Sequence, residues 1–188
     1  MFIRSERLFL RPGWPEDWEE LLGGIADEAV VRNLARAPWP YTADDARAFL
    51  RRPQDPRCPH FFVTLPTSSA PAEIIGSVGL LHGETGVELG YWIAREHWGH
   101  GYATEAARAV LGLARTLGHR RVSAGHFIDN PASGRVLRKA GFRPTGEVRA
   151  RYSLARGKTG AAAIHAIELG EPGNCDGGDD GVPAMRAA

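Results

Sequence analysis

The hydrophobic pattern changes period near residue 100. Before it, residues 61–65 (Phe-Phe-Val-Thr-Leu) and 74–81 are short runs of β-branched, aromatic and aliphatic side chains. The turn-forming residues 66–71 separate them, so the pair predicts a hairpin. After a turn at 83–86, residues 87–93 predict a third strand of the same meander. Then Tyr102, Ala106, Ala109, Val110, Leu113, Ala114 and Leu117 recur three and four apart, which predicts an amphipathic helix closed by Gly118. Residues 122–128 read as a strand. Pro131 opens a second helix whose apolar face is Val136, Leu137 and Ala140 and whose stop is Gly141. Two last strands are expected, one from Phe142 onward and one over 163–169. Upstream, residues 3–11 predict a strand ending at Pro12. Residues 15–35 predict two short helices broken near Gly23-Gly24. Pro38-Trp39-Pro40-Tyr41 is an ordered loop, and Thr42, with Asp45 three residues on, caps a helix running to about Arg52.

This order predicts a single mixed α/β sheet flanked by helices, antiparallel at first and then crossing over through a helix. A folded domain over 1–169 and a disordered tail over 170–188 are expected, because the tail is Gly-, Asp- and Pro-rich with little to bury. At 188 residues with 43% hydrophobic and 24% charged content, the chain fits one globular domain and not a disordered or fibrous one. No run of about 18 apolar residues predicts a membrane helix. The first twelve residues lack the apolar core of a signal peptide. Cys58 and Cys175 make no disulfide framework. The expected location is the reducing cytoplasm.

Net charge is +1, but residues 99–160 hold 12 Lys/Arg against 3 Asp/Glu. That suits either a polyanionic ligand or a solvated helix face. No nucleic-acid-binding motif accompanies the basic segment, so nucleic acid is not an expected partner.

The stretch that carries chemistry is Trp98-Gly99-His100-Gly101-Tyr102-Ala103-Thr104, with a strand leading in and a long helix leading out. Two glycines let backbone approach a ligand closely, and the helix N-terminus offers unpaired N–H groups to a pyrophosphate. A plain strand-to-helix turn has the same local features. The spacing is neither the dinucleotide fingerprint nor a Walker loop. Three further patterns accompany it: Glu88-Leu89-Gly90-Tyr91-Trp92-Ile93 before the loop, Asn130-x-x-Ser133 with Lys139-Ala140-Gly141-Phe142 after it, and Arg7-Leu8-x-Leu10-Arg11-Pro12 with Trp39-Pro40-Tyr41-Thr42 near the N-terminus.

In that order these motifs, over roughly residues 3–169, resemble the GNAT superfamily of acetyl-CoA-dependent N-acetyltransferases. Within it they resemble the branch of ribosomal-protein N-terminal acetyltransferases. The resemblance implies a sheet whose central strands splay at an acetyl-CoA site. It implies pyrophosphate contacts from Trp98, Gly99, His100, Gly101, Tyr102, Ala103 and Thr104, mostly through backbone N–H groups. It also implies pantetheine contacts from the Ile93 backbone and Asn130. Acetyl-CoA is then the co-substrate, and the acceptor is the primary amine of a small molecule or a protein N-terminus. The enzyme is expected as a monomer or homodimer.

An amine must lose a proton to attack, and Glu88, just before the loop, is the candidate base. A salt-bridged strand glutamate is the competing role. Many superfamily members carry a tyrosine acid where this chain has Leu137. By motif position in this branch, Ser133 takes over as the group facing the leaving sulfur. Without that tyrosine, a non-catalytic acyl-CoA-binding module on the same fold stays open, as does a nucleotide-binding module. His97 and His100 have no third ligand at metal spacing, so no metal is expected. His126, Asp129 and Ser133 lack a nucleophile elbow. Cys58 has no activating partner in sequence. Trp39 and Tyr41 suit either the core or a cleft wall.

Overall fold

The computed structural model describes residues 1–67 and 72–170. Its strands are β1 (Ile3–Arg4), β2 (Phe9–Arg11), β3 (His60–Leu65), β4 (Glu73–Gly83), β5 (Gly86–Ile93), β6 (Arg121–Phe127), β7 (Arg143–Ser153) and β8 (Lys158–Glu168). Its helices are α1 (Trp18–Ile25), α2 (Glu28–Val31), α3 (Ala43–Leu50), α4 (Tyr102–Thr116) and α5 (Pro131–Ala140). The strands form one sheet in the order β1-β2-β3-β4-β5-β6-β8-β7. All neighbours are antiparallel except β5 and β6. This is the mixed α/β sheet the sequence predicts. The expected tail, Gly170 aside, and residues 68–71 of the hairpin turn lie outside the described residues.

Several boundaries differ from expectation, among them the start of the first helix, where Pro15–Asp17 is a 3-10 turn and α1 begins at Trp18. Residues 3–11 are two strands, because Ser5 N–H donates to Leu8 O at 3.0 Å and folds the segment back on itself. A distant residue holds that turn: Glu105 on α4 accepts from Ser5 Oγ at 2.8 Å and from Arg7 N–H at 2.7 Å. α1 runs through Gly23 and Gly24, because the flanking Leu21 and Ile25 are buried in the same cluster as Trp92 and hold the helix to the sheet. The break comes at Ala26, and Asp27 then accepts from Ala29 N–H at 2.7 Å to start α2. α3 has the expected Thr42–Asp45 capping box but stops at Leu50. β8 begins at Lys158, because its hairpin with β7 pairs back to Ser153.

The sheet buries both faces. On one, α4 lays Ala106, Ala107, Val110 and Ala114 over Val78, Leu80, Leu89 and Ile93, and α5 adds Leu137. On the other, α1, α2 and α3 set Leu21, Ile25, Val31 and Ala46 against Phe62, Ile74 and Trp92. Each fully buried Val, Leu, Ile or Phe among these contributes about 1.5–3 kcal/mol, and each alanine less. Alternation along β5 therefore sends Leu89 and Ile93 one way and Trp92 the other. β4 lies so close to β5 at Gly76, the partner of Ile93, that a Cβ there would collide with the Trp92 carbonyl.

His60 makes this core pH-sensitive. Its Nε2 bonds Ser77 Oγ at 2.7 Å, and its ring meets Phe49 edge-on with centroids 5.0 Å apart. Burial, and then the charge of Arg52, push the imidazole down to about 4 from 6.5. His165 shifts the same way, through burial and then His126. Below pH 6.5 the unfolded chain takes up protons that the folded chain refuses, so stability falls as pH drops from 6.5 toward 4. The His60 share is at most about 3 kcal/mol. Urea unfolding at pH 7.5 and 4.5 should show a steeper loss for the native sequence than for His60→Gln, which keeps a hydrogen-bonding side chain but does not titrate. Equal losses would remove His60 from the pH dependence.

Candidate active site

The site begins where the sheet opens. β4 and β5 pair along their length, whereas β5 and β6 register in parallel at a single position, Glu88 with Ser123. From Leu89 to Ile93 the two central strands are no longer paired, and a wedge opens between them. A cavity of about 1790 Å³ runs through it, lined among others by Glu88, Ile93, Gly101, Asn130, Ser133 and Arg151.

At the wide end of the wedge, Gly99 and Gly101 take left-handed φ values of +84° and +83°. Those angles turn the chain from Trp98 into α4 at little cost only for glycine. Gly101 is the N-cap of α4, and no side chain caps the helix there. Thr104 N–H bonds the Gly101 carbonyl at 3.1 Å, whereas the N–H groups of Gly101, Tyr102 and Ala103 have no side-chain cap, with the positive end of the helix dipole behind them. Trp98, Gly99, Tyr102, Ala103 and Thr104 border the same cavity. His100 is exposed and stacks on Tyr102 at 5.6 Å. Trp98 Nε1 donates to the Ile93 carbonyl at 2.7 Å. One lone pair of that carbonyl is thus taken, which leaves the second for any ligand pairing along β5.

Arg7, which sequence reasoning left as part of a motif, braces this loop. Its guanidinium donates to His100 O at 3.0 Å and to Glu105 Oε2 at 2.8 Å, and lies 4.7 Å from the centre of the Tyr102 ring. Burial alone would raise the Glu105 carboxyl. Hydrogen bonds from the Arg7 backbone, Ser5 and the Arg7 side chain outweigh that and hold it below the usual range. An acid in the first turn of α4 is thereby matched by a cation at the same spot.

α5 forms the opposite wall. Asn130 Oδ1 accepts from Ser133 N–H at 3.2 Å and caps the helix, and Pro131 fits its first turn. Ser133 Oγ stands 2.7 Å from the hydroxyl of Tyr91, which comes from β5 across the wedge. Burial pushes the Tyr91 phenol up to about 12, against the opposing pull of the Ser133 bond. Leu137, one turn further along α5, is buried in the core. Sequence reasoning missed the Tyr91–Ser133 pair, since no local spacing relates positions 42 apart.

Glu88 is 14% exposed and its Oε1 pairs with Arg151 Nη1 at 2.6 Å. β7 thus reaches over the narrow end of the wedge with Arg151 and Arg149, the latter pairing with Glu147 and Glu84. The remaining candidates separate. His126 Nδ1 bonds the Phe127 carbonyl, Asp129 is held by Arg156 and Arg32, and Ser133 faces Tyr91, so these three do not converge. His97 meets its chain neighbour Glu96 at 3.9 Å and Glu73, 24 positions earlier, at 3.2 Å. Cys58 has neighbours after all: Asp55 and His82, themselves paired at 2.7 Å. Burial and then Asp55 raise its thiol, which opposes thiolate formation. Tyr41 is buried in the core beside α3, and Trp39 is exposed.

The family model for the acetyltransferase (GNAT) domain matches residues 7–143. Among curated relatives, an uncharacterized N-acetyltransferase of Bacillus subtilis strain 168, YoaA, is 40% identical over 99 residues. That match spans 50% of this chain and 55%, little more than half, of the relative. Among solved structures, an acetyltransferase (GNAT family) from Bacillus anthracis superposes with a TM-score of 0.75 at 25% identity, covering 90% of this chain and 99% of that one. RimL, a ribosomal L7/L12 α-N-protein acetyltransferase solved with coenzyme A, shares the fold at a TM-score of 0.71 and 17% identity, covering 89% and 98%.

Proposed function

Because the chain belongs to the GNAT acetyltransferase family, we propose that it moves an acetyl group from acetyl-CoA to a primary amine by direct attack within a ternary complex. The observation that carries this reading is the wedge: β5 and β6 part after Glu88, beside an uncapped α4 N-terminus framed by two left-handed glycines. Open N–H groups and the helix dipole suit a pyrophosphate there. Unpaired backbone along β5 suits the amides of a pantetheine arm lying as an extra strand. The cavity of about 1790 Å³ exceeds the roughly 300–1,000 Å³ of a single small-ligand site, which leaves room for an acceptor beside the coenzyme.

Roles follow from placement. Residues 98–104 hold the pyrophosphate, and Ile93 and Asn130 hold the pantetheine. Glu88, at the narrow end, takes the amine proton, with Arg151 fixing its Oε1. Backbone N–H groups in the wedge stabilise negative charge on the acetyl oxygen. Ser133 supports the departing sulfur. Motifs such as Asn130-x-x-Ser133 support a reading within the branch of ribosomal-protein N-terminal acetyltransferases, with the N-terminal amine of a protein or a small-molecule amine as the proposed acceptor and the cytoplasm as the proposed compartment.

Two measurements test the reading: calorimetric titration with coenzyme A, and thiol release from acetyl-CoA with a panel of peptide N-termini, polyamines and aminoglycosides. The expected result is coenzyme binding together with amine-dependent thiol release. Coenzyme binding without release for any amine would favour an acyl-CoA-binding module. Displacement of coenzyme A by ATP or NAD at similar concentrations would favour a nucleotide-binding one.

A further inference from the structure

We propose that Tyr91 is a positioning residue for acetyl transfer: its hydroxyl donates to Ser133 Oγ and so aims the serine's own proton at the thioester sulfur. The inference rests on the proposed acetyltransferase reading and adds to it a group from the opposite wall of the wedge. Its basis is geometric. Tyr91 Oη lies 2.7 Å from Ser133 Oγ and 3.3 Å from Ser133 O. The carbonyl oxygen can only accept, whereas at the 2.7 Å contact either hydroxyl can donate; we assign the single phenol proton to Oγ, the nearer of its two acceptors. When that proton goes to Oγ, the serine hydrogen has to point elsewhere, and the cavity is the direction left open, because both residues line it. Tyr91 is itself fixed. It sits on β5 between the buried Leu89 and Ile93, and its ring packs on the α4 side of the sheet. A serine at the first turn of α5 without this partner is free to turn toward its own backbone.

The chemistry decides between a proton source and a donor that keeps its proton. In the transfer, the amine nitrogen forms a bond to the acetyl carbon. The carbon–sulfur bond breaks, and its electron pair goes to sulfur. A thiol titrates near 8.5, whereas the buried phenol holds its proton up to about 12. Moving the phenol proton through Ser133 onto sulfur would be uphill. Tyr91 therefore stays protonated. Ser133 stabilises the sulfur by a hydrogen bond as charge develops, and the thiolate leaves to be protonated by water. The amine proton departs separately, toward Glu88.

The test compares Tyr91→Phe, Ser133→Ala and the double variant in thiol release from acetyl-CoA, with an accepted amine or, if none is found, with water as acceptor. Tyr91→Phe keeps the ring, so its melting temperature and its affinity for coenzyme A should stay near those of the native protein. Its kcat should fall about tenfold, with the KM for acetyl-CoA changing less than twofold. In the Ser133→Ala background, Tyr91→Phe should cost nothing further, because its effect passes through the serine. A merely structural tyrosine would give additive losses or a shifted KM, and either result overturns the proposal. Native kcat in Tyr91→Phe beside an impaired Ser133→Ala overturns it while leaving the serine's role intact. Native kcat in Ser133→Ala overturns both roles, and the absence of any thiol release from the native protein overturns the acetyltransferase reading itself.

Discussion

Glu88→Gln is expected to lower turnover by about 10²–10⁴ at neutral pH, the usual range for loss of a general base, while coenzyme A affinity stays unchanged. The amine arrives largely as an ammonium ion and must shed a proton to expose its lone pair. Glu88 sits at the single position where β5 still pairs with β6, the narrow end of the wedge, where the strand geometry brings its carboxylate into the cavity. Glutamine has the same shape but cannot accept that proton. The loss should therefore shrink as pH rises from about 7 toward 10, where more of the amine is already neutral. The ion pair with Arg151 supplies the competing explanation, that Glu88 only anchors β7 over the cleft. Arg151→Gln separates the two. If anchoring is what matters, both variants lose activity alike, with no pH dependence in the loss. If Glu88 is the base, only Glu88→Gln recovers at high pH. Turnover against pH for the three proteins decides it, and native turnover in Glu88→Gln would exclude the base assignment.

What was legible in the sequence is what a local period or a fixed offset encodes. The α4 stripe, the Thr42–Asp45 box, the stops at Gly118 and Gly141, and the strand–glycine–helix passage at residues 93–104 all depend on neighbours within a few residues. The structure places them as read. What was not legible depends on partners far apart in the chain. Residues 3–11 fold back because Glu105 reaches Ser5 and Arg7. α1 continues through two glycines because burial of Leu21 and Ile25 in the cluster with Trp92 outweighs their poor helix propensity. The site divides in the same way. Its glycine loop is a contiguous motif, but its other polar groups meet across the wedge, Glu88 with Arg151 and Tyr91 with Ser133. Leu137 leaves no tyrosine acid on α5, and the phenol that meets Ser133 one turn earlier comes from β5, a pairing that leaves no trace in spacing.

Gly101→Val should weaken coenzyme A binding by at least about tenfold, roughly 1.4 kcal/mol, in a protein that still folds. Gly101 holds φ at +83°, where a β-branched residue is strained by about 1–3 kcal/mol. A Cβ there would stand 3.6 Å from Arg7 Nη2, an ordinary contact, so the damage is conformational and not a clash. For a chain of this length each kcal/mol lowers the melting temperature by about 2–4 °C, which leaves the fold standing. The relief of strain, however, moves the residue whose φ aims the uncapped N–H groups of α4, on the surface proposed for the pyrophosphate. Gly118 provides the control. It lies beyond the other end of α4 with the same φ of +83° and nothing within 4 Å of an added Cβ. Gly118→Val should therefore lower the melting temperature comparably and leave coenzyme affinity alone. Calorimetric titration of both variants separates a local phosphate site from general loosening of the helix. Equal weakening in both, or unchanged affinity in a folded Gly101→Val, would remove the loop from the coenzyme site.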